Sequence, residues 1–163
     1  GNESRSLPLW NTEEVMLRVF ADTHFYVALL NRTDAMHSAA FDWATQQRPV
    51  VITTEFVLLE VANFFKHPSD RAGFVRFLAS IRADAATTVI PCDSAWFQKG
   101  VNRFASRPDK EWSLTDCISF VVMEDHGLTR IIHVFSRYCD NSFQSLTLRQ
   151  SSKKQSALLA ASR

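Results

Sequence analysis

Four short runs of apolar and β-branched residues punctuate this chain: Leu17 to Ala21, Val50-Val51-Ile52-Thr53, Thr87 to Ile90 and Ile131 to Phe135. Between them lie longer segments whose apolar residues step by three and four, the helical period. This alternation constrains the fold more than any other feature. Strands separated by helices pair in parallel, because each helix carries the chain back to the edge where the next strand begins, and both faces of the resulting sheet must be covered. The expectation is an α/β domain, an α/β/α sandwich with a short, mainly parallel sheet of four or more strands flanked by helices. With 163 residues, 46% of them hydrophobic, the chain can bury one core of its own.

The helical segments carry recognisable punctuation. After Asp22-Thr23, residues Phe25, Val27, Ala28, Leu29 and Leu30 continue with helix-compatible spacing. Asp34 is expected to cap a helix with the stripe Met36, Ala39, Ala40, Trp43 and Ala44, which stops before Pro49. The apolar stretch Phe56 to Phe65 ends at His67-Pro68, and Ser69 or Asp70 is expected to cap the next helix, with Phe74, Phe77, Leu78 and Ile81 on its buried face. Asp93 opens a helix through Trp96, Phe97, Val101 and Phe104, and residues 107–112 read as a loop. Ser113-Leu114-Thr115-Asp116 has the form of a capping box and starts a helix that runs to His126-Gly127. The apolar faces of residues 34–46 and 69–83 exceed what a small sheet covers, which predicts a second copy or a partner chain against them.

Residues 1–15 are polar and pattern-free, and read as an N-terminal extension, disordered or a cloning remnant. The domain is expected over 16–143, and residues 144–163 as a basic polar tail without fixed structure. Residues 1–126 hold twelve Lys and Arg against sixteen Asp and Glu, and residues 127–163 hold six against one. So abrupt a change suggests a replaced C-terminal end, as a reading-frame shift produces. An acidic body attracts a polyanion poorly, so binding nucleic acid would require local cations among Arg71, Arg76, Arg82, Lys99, Arg103, Arg107 and Lys110, or a bound metal ion. Cys92, Cys117 and Cys139 form no C-x-x-C pair, which fits a reducing cytoplasm. No apolar run approaches the ~20 residues of a membrane crossing. Glycine-rich phosphate loops and nucleophile motifs are absent from the sequence.

Three acids stand at informative addresses. Asp22 falls where the first strand ends, at the sheet edge that binds ligands in open α/β proteins, and equally where a helix N-cap belongs. Glu60 lies in a segment apolar nearly all round. A carboxylate buried there needs a hydrogen-bond partner, for which Asn63 at i+3 is a candidate, or a metal ion. Asp116 is either the acidic member of its capping box or a ligand. A cluster of the three would repel itself without a divalent cation, and hard oxygen donors select Mg²⁺ or Mn²⁺.

These residues carry a resemblance. Leu17 to Asn31, LRVFADTHFYVALLN, Thr53 to Phe64, TTEFVLLEVANF, and Trp112 to Phe120, WSLTDCISF, resemble in order the three acidic motifs of PIN domains, most closely those of VapC-type toxins. The resemblance spans about residues 16 to 129. It implies a PIN-like fold and an Mg²⁺- or Mn²⁺-dependent endoribonuclease, the toxin of a toxin-antitoxin pair, homodimeric and silenced by a cognate antitoxin. Asp22, Glu60 and Asp116 would be its metal-binding and catalytic carboxylates, with Ser113 as a phosphate or water contact. In-line attack by a metal-activated water would leave a 5′-phosphate and a 3′-hydroxyl. A fourth acid that the family carries after Gly127-Leu128-Thr129 is missing from Ile131 to Ser136, and Asp140, in Asp140-Asn141-Ser142-Phe143, is the candidate substitute. The alternative is a catalytically impaired PIN-like module that dimerises and binds an antitoxin without cleaving RNA.

Overall fold

A computed structural model of the chain describes residues 17–133 and a strand at 144–147. Asp140, the segment 1–15 and the tail beyond residue 147 lie outside the described residues. Five strands form one sheet: β1 (Arg18–Ala21), β2 (Val50–Thr54), β3 (Thr87–Ile90), β4 (Arg130–His133) and β5 (Gln144–Thr147), in the order β3-β2-β1-β4-β5. The first four run parallel, and β5 returns antiparallel beside β4. That last strand falls just beyond the domain boundary expected at 143. Six helices flank the sheet: α1 (Thr23–Leu30), α2 (His37–Gln47), α3 (Glu55–Phe64), α4 (Pro68–Ala83), α5 (Ser94–Ser106) and α6 (Leu114–Asp125). The α/β architecture expected from the alternating pattern is the one present.

The central strand β1 is apolar because both its faces are covered. Val19, Phe20 and Ala21 have no exposed surface, and Phe20 is in register with Ile52 of β2 and Ile131 of β4. Val57 and Val61 of α3 and Ile118, Val122 and Met123 of α6 complete the inner core. An aromatic layer covers the other side of α1: Tyr26 meets Phe77 edge-on at 5.3 Å, and Phe25 meets Trp43 at 6.1 Å. Trp43 is therefore a packing residue, as aromatics at helical spacing usually are.

Three local expectations are corrected. Asp34 does not cap α2. Its carboxylate accepts the Met36 amide at 2.8 Å in a turn, and the helix starts at His37 with Met36 as an N-cap that makes no side-chain bond. Neither Ser69 nor Asp70 caps α4, because Pro68, with its preset φ, takes the first helical position, and His67 before it accepts the Ser69 amide. The helix α3 is not buried all round: Leu59 and Phe64 are 62% and 61% exposed.

Arg48 ends α2 in the left-handed region, at φ 42° and ψ 53°. A side chain there costs roughly 1 kcal/mol that glycine does not incur. Arg48→Gly is expected to raise stability by about 0.5–1 kcal/mol, visible as a higher melting temperature.

Candidate active site

The four parallel strands end at a common edge, and after β1, β2 and β3 the chain turns from strand to helix there. Asp22 follows the last residue of β1 and caps α1, its Oδ1 accepting the Phe25 amide at 2.9 Å. It is 8% exposed. Behind it, the fully buried Thr53 of β2 donates its hydroxyl to the Ala21 carbonyl at 2.9 Å, tying the end of β1 to its neighbour. Thr54 caps α3 by accepting the Val57 amide at 3.1 Å, which aims that helix away from the same edge.

Glu60 stands on the second turn of α3 and is half-buried. Its partner is not Asn63, whose side chain is exposed, but Thr23, which donates from Oγ1 to Glu60 Oε2 at 2.7 Å. This bond joins residues 37 apart in sequence and brings the second acid against the residue next to the first. Asp116 is exposed in the first turn of α6. It completes the capping box expected from Ser113-x-x-Asp116: Asp116 Oδ2 accepts the Ser113 amide at 2.8 Å, and Ser113 Oγ accepts the Asp116 amide at 3.0 Å. The helix α6 feeds β4 after four residues. Since β4 is parallel to β1, the start of α6 is its end nearer the edge that holds Asp22.

The three acids share one mode of attachment. Each has a carboxylate oxygen bonded to the fold: Asp22 Oδ1 to an amide, Glu60 Oε2 to a hydroxyl, Asp116 Oδ2 to an amide. Capping and ligation are therefore compatible, because a carboxylate has two oxygens and about four lone-pair sites. Among the described residues, no group of three or more His, Cys, Asp or Glu side chains is gathered as a ready metal cage. The donor chemistry suits a hard divalent ion, being carboxylate oxygen throughout, with no thiolate or imidazole from the named set.

The loop before Asp116 is stiffened by stacked planes and ion pairs. Trp112 meets Phe120 edge-on at 4.8 Å, the Arg107 guanidinium lies 5.1 Å from the Trp112 ring centre, and that of Arg103 lies 5.8 Å from Phe120. Arg103 grips Glu124 with two bonds of 2.7 Å, and Arg107 grips Asp109 at 2.8 and 3.0 Å. Hydrogen bonding and charge from Arg107 bring the Asp109 carboxyl down to about 2. Any stability from this exposed pair is thus present above the ordinary carboxylate pKa of about 4 and is lost as the pH falls through about 2.

Sequence reasoning missed Thr23, Thr53 and Thr54. The available signal was a threonine beside the first and second acid motifs, of which Thr53 is read only as a β-branched strand residue.

Comparison with known proteins adds three findings. The PIN domain model matches residues 19–141. The 23S rRNA-specific endonuclease VapC20 of Mycobacterium tuberculosis, from two strains, is 28% identical over 115 residues, which is 68% of this chain and 83% of VapC20. The crystal structure of that organism's VapC20, described as a sarcin-ricin loop cleaving toxin, superposes with a TM-score of 0.64 at 25% identity, over 79% of this chain and 98% of the other.

Proposed function

The chain belongs to the PIN-domain family, and from that premise we propose that it is an Mg²⁺- or Mn²⁺-dependent endoribonuclease acting as the toxin of a cytoplasmic toxin-antitoxin pair. The observation that supports this reading is the 2.7 Å bond from Thr23 to Glu60, which joins the second acid to the residue next to the first. Asp22, Glu60 and Asp116 would hold the ion. When bound, the ion would polarise the scissile phosphoryl group and acidify a water molecule. The chain's own part is to fix the carboxylates and to accept a proton: Glu60 Oε1, the oxygen not engaged by Thr23, would take it from the attacking water. The Ser113 hydroxyl, beside Asp116, would contact a phosphate or water. Asp140 would serve as a fourth acid.

An antitoxin segment would lie in the apolar groove of about 440 Å³ between α1, α2 and α4, where Phe25, Leu29, Ala44, Phe77 and Ile81 form the walls and Arg48 and Asp84 supply charges of opposite sign. The exposed Phe41 and Val75, at 54% and 61%, extend the apolar surface of α2 and α4. Exposed Phe97 and Phe104 on α5 offer a face for a homodimer. Sedimentation at micromolar concentration is expected to give twice the chain mass. A monomer would count against the dimer.

The test of activity is cleavage of a mixed RNA substrate by purified protein in Mn²⁺ and in EDTA. Cutting in Mn²⁺ alone is expected. Intact RNA under both conditions, together with retained antitoxin binding, would replace this reading with the non-cleaving module.

A further inference from the structure

On the metal-dependent reading above, we infer that Thr23 is the positioning residue for Glu60, and that the affinity of the site for its divalent ion depends on the Thr23 hydroxyl. The three acids are not anchored alike. Asp22 and Asp116 are held by backbone amides, which no substitution of a side chain removes. Among the described residues, the hydrogen bond that holds Glu60 comes from the Thr23 side chain and spans two helices. A glutamate on a half-exposed helix face has three rotatable torsions and points where its partner directs it.

Thr23 is well made to direct it. It is the first residue of α1 and 6% exposed, so its backbone is fixed by the cap at Asp22 and its side chain by the packing around it. β-Branching restricts its χ1, so the hydroxyl is preset. Because Thr23 follows Asp22 in the chain, any movement of the hydroxyl is coupled to the position of the first acid. The bond to Thr23 thus transmits the geometry of Asp22 to Glu60, in the way that groups behind metal ligands orient them. Thr23 touches neither substrate nor ion in this assignment.

The experiment is calorimetric titration of the full chain with Mn²⁺, with melting curves as the control for folding and Mn²⁺-dependent RNA cleavage as a second readout. Thr23→Val keeps the size and branching and removes the donor. It is expected to weaken Mn²⁺ binding by roughly 10- to 100-fold, with Thr23→Ser restoring wild-type affinity. In a Glu60→Ala background Thr23→Val is expected to add no further loss, because Thr23 then has no side-chain oxygen at position 60 to hold. Thr23→Ala makes the same comparison if Thr23→Val does not fold. Wild-type affinity in a folded Thr23→Val protein, or an equal loss with and without Glu60, overturns the inference and leaves the ribonuclease reading standing. Absence of Mn²⁺ binding by the unmutated protein overturns both.

Discussion

Asp116→Asn is expected to leave the fold intact while lowering Mn²⁺-dependent RNA cleavage by about a thousandfold, the loss of several kcal/mol of transition-state stabilisation. The prediction separates the two roles of this residue. Asp116 Oδ2 accepts the Ser113 amide, and the side-chain oxygen of asparagine can accept the same bond, so the capping box survives the substitution. What disappears is the negative charge that a divalent ion needs. Ser113→Ala is the converse change. It removes the oxygen that accepts the Asp116 amide and is expected to cost about 1 kcal/mol of stability, with cleavage reduced far less than in Asp116→Asn. Rates on a defined RNA and thermal melts of both variants decide the matter. Wild-type rates in Asp116→Asn would leave Asp116 as a capping residue only.

The second large effect concerns stability. Gly100 sits inside α5, where glycine is intrinsically unfavourable, because α6 passes directly over it. A Cβ at this position would run into Ile118 Cγ1 and lie 3.3 Å from the Ile118 Cα. Ile118 is 1% exposed and locked in the core, so it has little room to yield. Gly100→Ala gains about 1 kcal/mol of helix propensity but forces α5 and α6 apart, and overpacking of this kind costs roughly 1–3 kcal/mol or more. A net loss of about 2 kcal/mol is expected, a drop in melting temperature of roughly 4–8 °C for a domain of this size. Gly73 in α4 is the control. The nearest atom to a Cβ there is the flexible end of Arg76, at 4.0 Å, so Gly73→Ala is expected to stabilise by up to about 1 kcal/mol. Opposite shifts from the same substitution in two helices would establish that the contact and not the propensity decides. A rise in both would show that α5 and α6 accommodate the methyl group.

The elements legible in the sequence were those whose signals are local. Short apolar and β-branched runs marked β1 to β4. Asp22, Asp93 and Ser113 announced helix starts because a capping side chain bonds an amide two or three residues ahead. The failures also have physical causes. Asp34 offers the same type of cap, but its oxygen is used two residues ahead in a turn, and the helix waits until His37. The sidedness of α3 was misjudged because Leu59 and Phe64 are apolar yet face outward, and hydrophobicity alone does not say which apolar face is buried. As for the site, the resemblance pointed to Asp22, Glu60 and Asp116, and their own cap chemistry described two of them correctly. The bond from Thr23 to Glu60 was not legible, since it joins residues 37 apart and exists only after their two helices are packed. Asn63 was the nearest polar neighbour in sequence and not in space.

Because Asp22 and Asp116 also close the starts of α1 and α6, selection for stability alone would preserve them. On the proposed ribonuclease reading, a relative that does not cut RNA would still carry Asp22 and Asp116, so their presence alone is poor evidence of activity. The informative relics are elsewhere. A lineage released from catalysis should let Glu60 and Thr23 drift together toward an apolar pair, which replaces a hydrogen bond between helices by simple contact.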